Sequence, residues 1–155
     1  MLIKTKFALF PALAGFALVA AGLCRGGDEQ LDAAAKTPVE RLEKGPATID
    51  VSKYPAGIQE NYRVFSRKCS QCHNLGRPIN SDYVLPDEWS RCIGRMKHRS
   101  SSDISSSEER KLYDFLVFDS SVRKRARLEM KLQTLTPDAQ RKVEDKIKEV
   151  ADKYQ

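Results

Sequence analysis

Cys69-Ser70-Gln71-Cys72-His73 sets two thiols three positions apart and puts an imidazole directly after the second. Thiols at that separation can each form a thioether with one of two vinyl groups on a single ring, while the neighbouring imidazole ligates an iron at its centre. C-x-x-C-H is the attachment signature of a c-type haem. Ser70 and Gln71 serve only as spacers. Two other chemistries use a C-x-x-C pair. A zinc site could take Cys92 and His98 as its other half, but that pair is spaced more widely than zinc fingers usually allow, and zinc leaves His73 without a role. A thioredoxin-like dithiol needs a strand-rich βαβ setting, which the flanking sequence lacks.

The start of the chain bears on the compartment. Lys4 and Lys6 precede a charge-free apolar stretch of 15 residues, Phe7 to Ala21, which closes on Ala20-Ala21-Gly22. This is the architecture of a secretory signal peptide over residues 1–22. Covalent haem attachment belongs outside the bacterial cytoplasm, so the motif and the signal support each other and predict an exported, periplasmic protein. Cys24 offers an alternative ending as the acylated first residue of a lipoprotein, although Leu23 stands where such signals want a small residue. An uncleaved anchor is the third option, with Pro11 and the alanine content making it a poor span.

Once the signal is removed, about 130 residues remain, enough for one small domain with extensions. Residues 23–56 read as a flexible tether, punctuated by Gly26-Gly27, Pro38, Gly45-Pro46 and Pro55 and short of large apolar side chains. Glu40 and Glu43 on it are read as solvated carboxylates.

From Gly57 the pattern turns helical, with Ile58, Tyr62 and Phe65 on one face of a helix that runs into Cys69. Residues 74–85 carry Gly76, Pro78, Asn80 and Ser81-Asp82 and predict a loop. Pro86 opens a second helix whose first turn holds Asp87 and Glu88, as the helix dipole prefers. After a serine run, Ser106 with Glu109 forms a capping box, and Ser105 with Glu108 offers an alternative register. The helix that follows carries Leu112, Phe115 and Leu116 on one stripe. No strand is indicated, so the fold class is all-α.

Residues 119–155 read as a C-terminal helical extension. Thr136-Pro137-Asp138 marks a stop and restart, and the last helix aligns Ala139, Val143, Ile147, Val150 and Tyr154 on one stripe that must be covered. The preceding helix folding back as a hairpin, or a second copy of the chain, would cover it.

The chain is basic, with a net charge of +6, and eight Lys/Arg face three Asp/Glu between Arg63 and Arg99. Around a redox centre such charge can neutralise haem propionates or steer an acidic partner. Arg123-Lys124-Arg125-Ala126-Arg127 has the composition of a nucleic-acid patch, but export excludes that partner and favours a solvated face, anionic lipid or an acidic redox protein.

A short helix ending in C-x-x-C-H, Phe65 four positions before the first Cys, a Pro-containing loop, a Met-bearing segment and an aromatic-rich last helix together resemble a class I monohaem cytochrome c of the small bacterial type. The resemblance spans residues 57–118, read as the haem domain. It implies one covalent haem c held by Cys69 and Cys72, with His73 as one axial iron ligand and a downstream Met as the other. Met96 fits that role: Trp89, Cys92, Ile93 and Met96 fall at i, i+3, i+4 and i+7 and share a helical face. His98 is the rival ligand, but it lies two positions on, a rotation of about 200°. The interval from His73 to Met96 is 23 residues, short for the family. The resemblance also implies that the Pro78 carbonyl accepts the Nδ1 hydrogen of His73. Asn61 departs from the small residue the family often has where its terminal helices cross, and Tyr62 with Phe65 against Tyr113 and Leu116 is the expected substitute.

The function this predicts is electron transfer without enzymatic activity, between redox protein partners with acidic surfaces. A haem enzyme or gas sensor with an open or His98-ligated distal side is the alternative. A third reading is an interaction module docking through its C-terminal helices.

Overall fold

The computed structural model describes residues 37–99 and 103–155, and every regular element among them is a helix. The export signal, Cys24 and the first part of the tether lie outside the described residues. The helices are α1 Pro38–Glu43, α2 Ala56–Cys69, α3 Gly76–Ile79, α4 Pro86–Lys97, α5 Ser106–Val122, α6 Arg125–Leu132 and α7 Pro137–Lys153. None is long and apolar enough to cross a membrane.

The core is built where α2 and α4 lay their apolar faces on α5, the central helix. Ile58, Val64 and Phe65 of α2, Trp89 and Ile93 of α4, and Leu112, Phe115, Leu116 and Val117 of α5 are all buried in one cluster. Aromatic rings tie it together. Phe65 lies 5.0 Å and Tyr62 5.2 Å from Phe115, centroid to centroid. Phe115 therefore takes the place expected for Tyr113, which instead sits half-buried at the edge between α4 and α5. Of the two capping registers, Ser105 with Glu108 is the one formed: each accepts from the other's backbone N–H, at 3.2 and 3.0 Å. Glu109 is thereby free to pair with Lys97 of α4 at 2.5 Å.

The tether reading fails for residues 37–56, which are packed. Thr37 caps α1 in a reciprocal box with Glu40. Asn80 then donates from one amide to the carbonyls of Leu42, Pro46 and Gly76, stitching α1 to α3. Ile49, Val51 and Tyr54 rest on the main core, the Ile49 N–H donates to the Tyr62 hydroxyl, and the Tyr54 hydroxyl donates to Asp119. A few well-placed side chains and buried hydrogen bonds hold this segment, so low apolar content did not make it mobile. The loop reading of residues 74–85 changes too, because Gly76–Ile79 forms the short helix α3.

The boundary drawn at residue 118 does not divide the molecule either. Helix α5 runs through it to Val122, and the described residues form a single compact unit. The α7 stripe is covered by α5 and α4 of the supposed haem domain: Val150 is buried in the main core, with Ile147 and Tyr154 beside it. Asp114 accepts from Lys153 Nζ and the Tyr154 hydroxyl, both at 2.6 Å, and Asn61 Nδ2 donates to the same hydroxyl at 2.9 Å. Asn61 is thus buried as a hydrogen-bonding partner of the C-terminus. The small residue at this crossing stands one turn earlier, at Gly57, where an added Cβ would lie 2.5 Å from the Tyr154 ring.

Candidate functional site

Helix α2 delivers the motif. Its buried face holds it against α5, and Cys69 is its last residue, so Cys72 and His73 fall in the turn that follows. Cys69, Cys72 and His73 line one wall of a cavity of about 470 Å³, a size that suits a bound cofactor. Trp89, Cys92, Ile93 and Met96 of α4 line the same cavity, and Phe65, Leu112 and Leu116 add apolar lining. The helical face inferred for α4 is the face turned to the cavity. His98 is exposed at the C-cap of α4 and is not among the lining side chains. Cys92 therefore shares the cavity with the motif thiols, whereas the His98 half of the zinc alternative stays outside it.

One contact selects a tautomer for the neutral His73 ring. Its Nδ1 lies 3.0 Å from the carbonyl oxygen of Asn74, and because a carbonyl only accepts, Nδ1 must carry the proton. Nε2 then keeps its lone pair, as a metal ligand requires. The bond expected from Pro78 is not made. The Pro78 carbonyl accepts from Ser81 Oγ at 2.9 Å instead, while the Pro78 ring lines the cavity. Asn74 takes over because it follows His73 directly and its side chain is fixed by accepting from the Gly76 N–H at 2.7 Å.

Burial pushes the Cys69 thiol up to about 12, and the nearby Cys92 and Cys72 thiols add to the shift. Cys92 is raised as well, again by burial, with Arg95 working against it. A dithiol redox site needs a thiolate below the ordinary range. Cys69 is shifted the other way and sits in an all-helical setting, which counts against the thioredoxin-like alternative.

The Trp89 wall is held from the C-terminal side. Trp89 is buried, its Nε1 donates to Ser120 Oγ at 2.9 Å, and the Tyr83 ring meets it edge-on at 5.5 Å. Lys124 Nζ lies 5.1 Å from the Trp89 ring centre and donates to the carbonyls of Ser81 at 2.9 Å and Tyr83 at 3.2 Å. Burial pulls Lys124 down to about 8, with Arg123 adding to the effect. Sequence reasoning placed Lys124 in a solvated basic run and gave Ser120 no role. A Lys eight residues past the stripe Leu112, Phe115 and Leu116 carries no signal that it turns inward.

Four cationic side chains, Lys68, Arg77, Arg95 and Arg99, reach the cavity wall. Arg77 forks from Nε and Nη2 onto Glu43 Oε1 at 3.0 and 2.6 Å, so a carboxylate read as solvated on a tether is a structural anchor. Compared with models of known families, with curated proteins and with solved structures, the chain matches none.

Proposed function

We propose that the protein is an exported electron carrier with one haem c attached through Cys69 and Cys72 and ligated by His73 and Met96. One observation carries the reading: two motif thiols, an imidazole with its Nε2 lone pair available and the Met96 thioether all line the same cavity. The donor set fits the group, because thiols, imidazole and thioether are what covalent attachment and axial ligation of a haem use. When bound, the haem would supply a one-electron ferric–ferrous couple.

The chain's own residues do the rest. The Asn74 carbonyl holds the His73 ring in the Nδ1–H tautomer and makes Nε2 a better donor. Ile93, Leu112, Leu116 and Phe65 give the cavity apolar lining, which lowers the local dielectric and favours the less charged redox state. Export rests on residues 1–22, and a docking partner with an acidic surface suits the basic stretch from Arg63 to Arg99.

The test is visible spectroscopy of protein made in a haem-attaching periplasm, with carbon monoxide added to the reduced form. A low-spin spectrum that carbon monoxide leaves unchanged is expected. A spectrum that shifts with the gas would mark an open distal side and turn the reading toward a haem enzyme or sensor.

A further inference from the structure

The charges on the cavity wall do not all have partners. Lys68 pairs with Asp103 at 2.9 Å and Glu108 at 3.2 Å, Arg77 pairs with Glu43, and Asp82, the acid on the same wall, pairs with Arg127. Arg95 and Arg99 differ. Arg95 stands in the last turn of α4 and Arg99 just past its end, beyond the C-cap His98; both are exposed and line the cavity, and neither meets a carboxylate among the described residues. Arg95 Nη2 donates to the Tyr83 hydroxyl at 3.3 Å, and its side chain also hydrogen-bonds the Cys92 thiol, so its partners carry no negative charge. Two positive charges beside an apolar cavity are therefore left without counter-charges.

We infer that Arg95 and Arg99 form a clamp for a ligand edge bearing two carboxylates, the propionates of the haem placed in this cavity under the proposed function. A guanidinium offers planar, forked N–H groups that match a carboxylate, and two of them lining one cavity offer a fork to each of two carboxylates. The apolar cavity accepts the ring and the mouth accepts the charged edge. Lys68 and Arg77 are excluded from this role because their own acids already satisfy them. The inference rests on the haem reading and adds the residues that choose which edge of the ring faces the mouth.

The experiment uses the full chain carrying Cys69→Ala and Cys72→Ala, so that binding is reversible. Protoporphyrin IX and its dimethyl ester are each titrated in, and quenching of Trp89, the one tryptophan in the sequence and a cavity-wall residue, is followed. Hydrogen bonds to charged groups predict that the free acid binds roughly tenfold or more tightly than the diester. Arg95→Gln with Arg99→Gln should abolish that preference, bringing the free acid to the affinity of the diester. Arg95→Lys with Arg99→Lys should keep part of it. Arg91→Gln, exposed on α4 and outside the cavity lining, should keep all of it. A preference that survives the double Gln variant, or no preference in the parent, overturns the clamp while leaving the haem reading standing. Failure of both porphyrins to bind counts against the clamp and the haem reading together.

Discussion

Ser120→Ala should destabilise the fold and disturb the cavity wall, although Ser120 touches no motif residue. Its hydroxyl is the acceptor for the Trp89 indole N–H at 2.9 Å, and both side chains are buried, with relative exposures of 0% and 1%. Removing the acceptor leaves a buried donor unpaired, which costs about 1–3 kcal/mol. The volume lost is a single oxygen, so the cavity contribution is small by comparison. In a unit of roughly this size such a loss lowers Tm by several degrees. The assay is urea unfolding followed by far-ultraviolet circular dichroism, run as a double-mutant cycle with Trp89→Phe, which removes the one tryptophan and with it the emission probe. Because Phe has no N–H to orphan, Ser120→Ala should cost less in that background, giving a coupling of about 1 kcal/mol or more. A coupling below about 0.3 kcal/mol would refute the argument that this bond ties the cavity wall to the helix running past residue 118.

Ending the chain at Asp119 removes Ser120, Lys124, Val150 and Tyr154 together, so cooperative unfolding should be lost; a truncated protein that melts like the parent would contradict this. Met96→Ala should lower the reduction potential and admit carbon monoxide, whereas His98→Ala should leave the spectrum unchanged, and the reverse pattern would exchange their roles. Lys124 titrates near 8 in the folded protein and near 10.5 when unfolded, so between those values the unfolded chain binds more protons and stability should rise with pH. The rise is at most about 3 kcal/mol, and denaturant melts of the parent and Lys124→Met across pH 8–10 should differ in slope accordingly.

The helical class and the face of α4 were legible because both follow from local periodicity: apolar side chains at i, i+3, i+4 and i+7 share a face whatever lies opposite. The motif was legible because its chemistry is carried by five consecutive residues. What misled was composition used as a proxy for packing. The segment 37–56 is poor in large apolar residues, yet Asn80, Tyr62 and Asp119, each distant in sequence, satisfy its backbone and anchor Tyr54. The same holds for the end of the chain, where Asn61 and Asp114 wait on α2 and α5 for Tyr154. Polar residues inside helical patterns read as solvated faces until the partner 40 or 90 positions away is known. Pro78 was assigned through a resemblance, but the structure gives His73 a nearer acceptor in Asn74.

Covalent attachment is the most direct test of the account. The protein is made in a haem-attaching periplasm, unfolded fully in denaturant, separated on a denaturing gel and stained for haem, beside Cys69→Ala, Cys72→Ala and the double variant. Thioether bonds survive unfolding while coordination does not, so the parent band should stain and weigh one haem more than the polypeptide, and the double variant should be colourless. A colourless parent, or a double variant whose haem survives denaturation, would contradict the claim that Cys69 and Cys72 hold it.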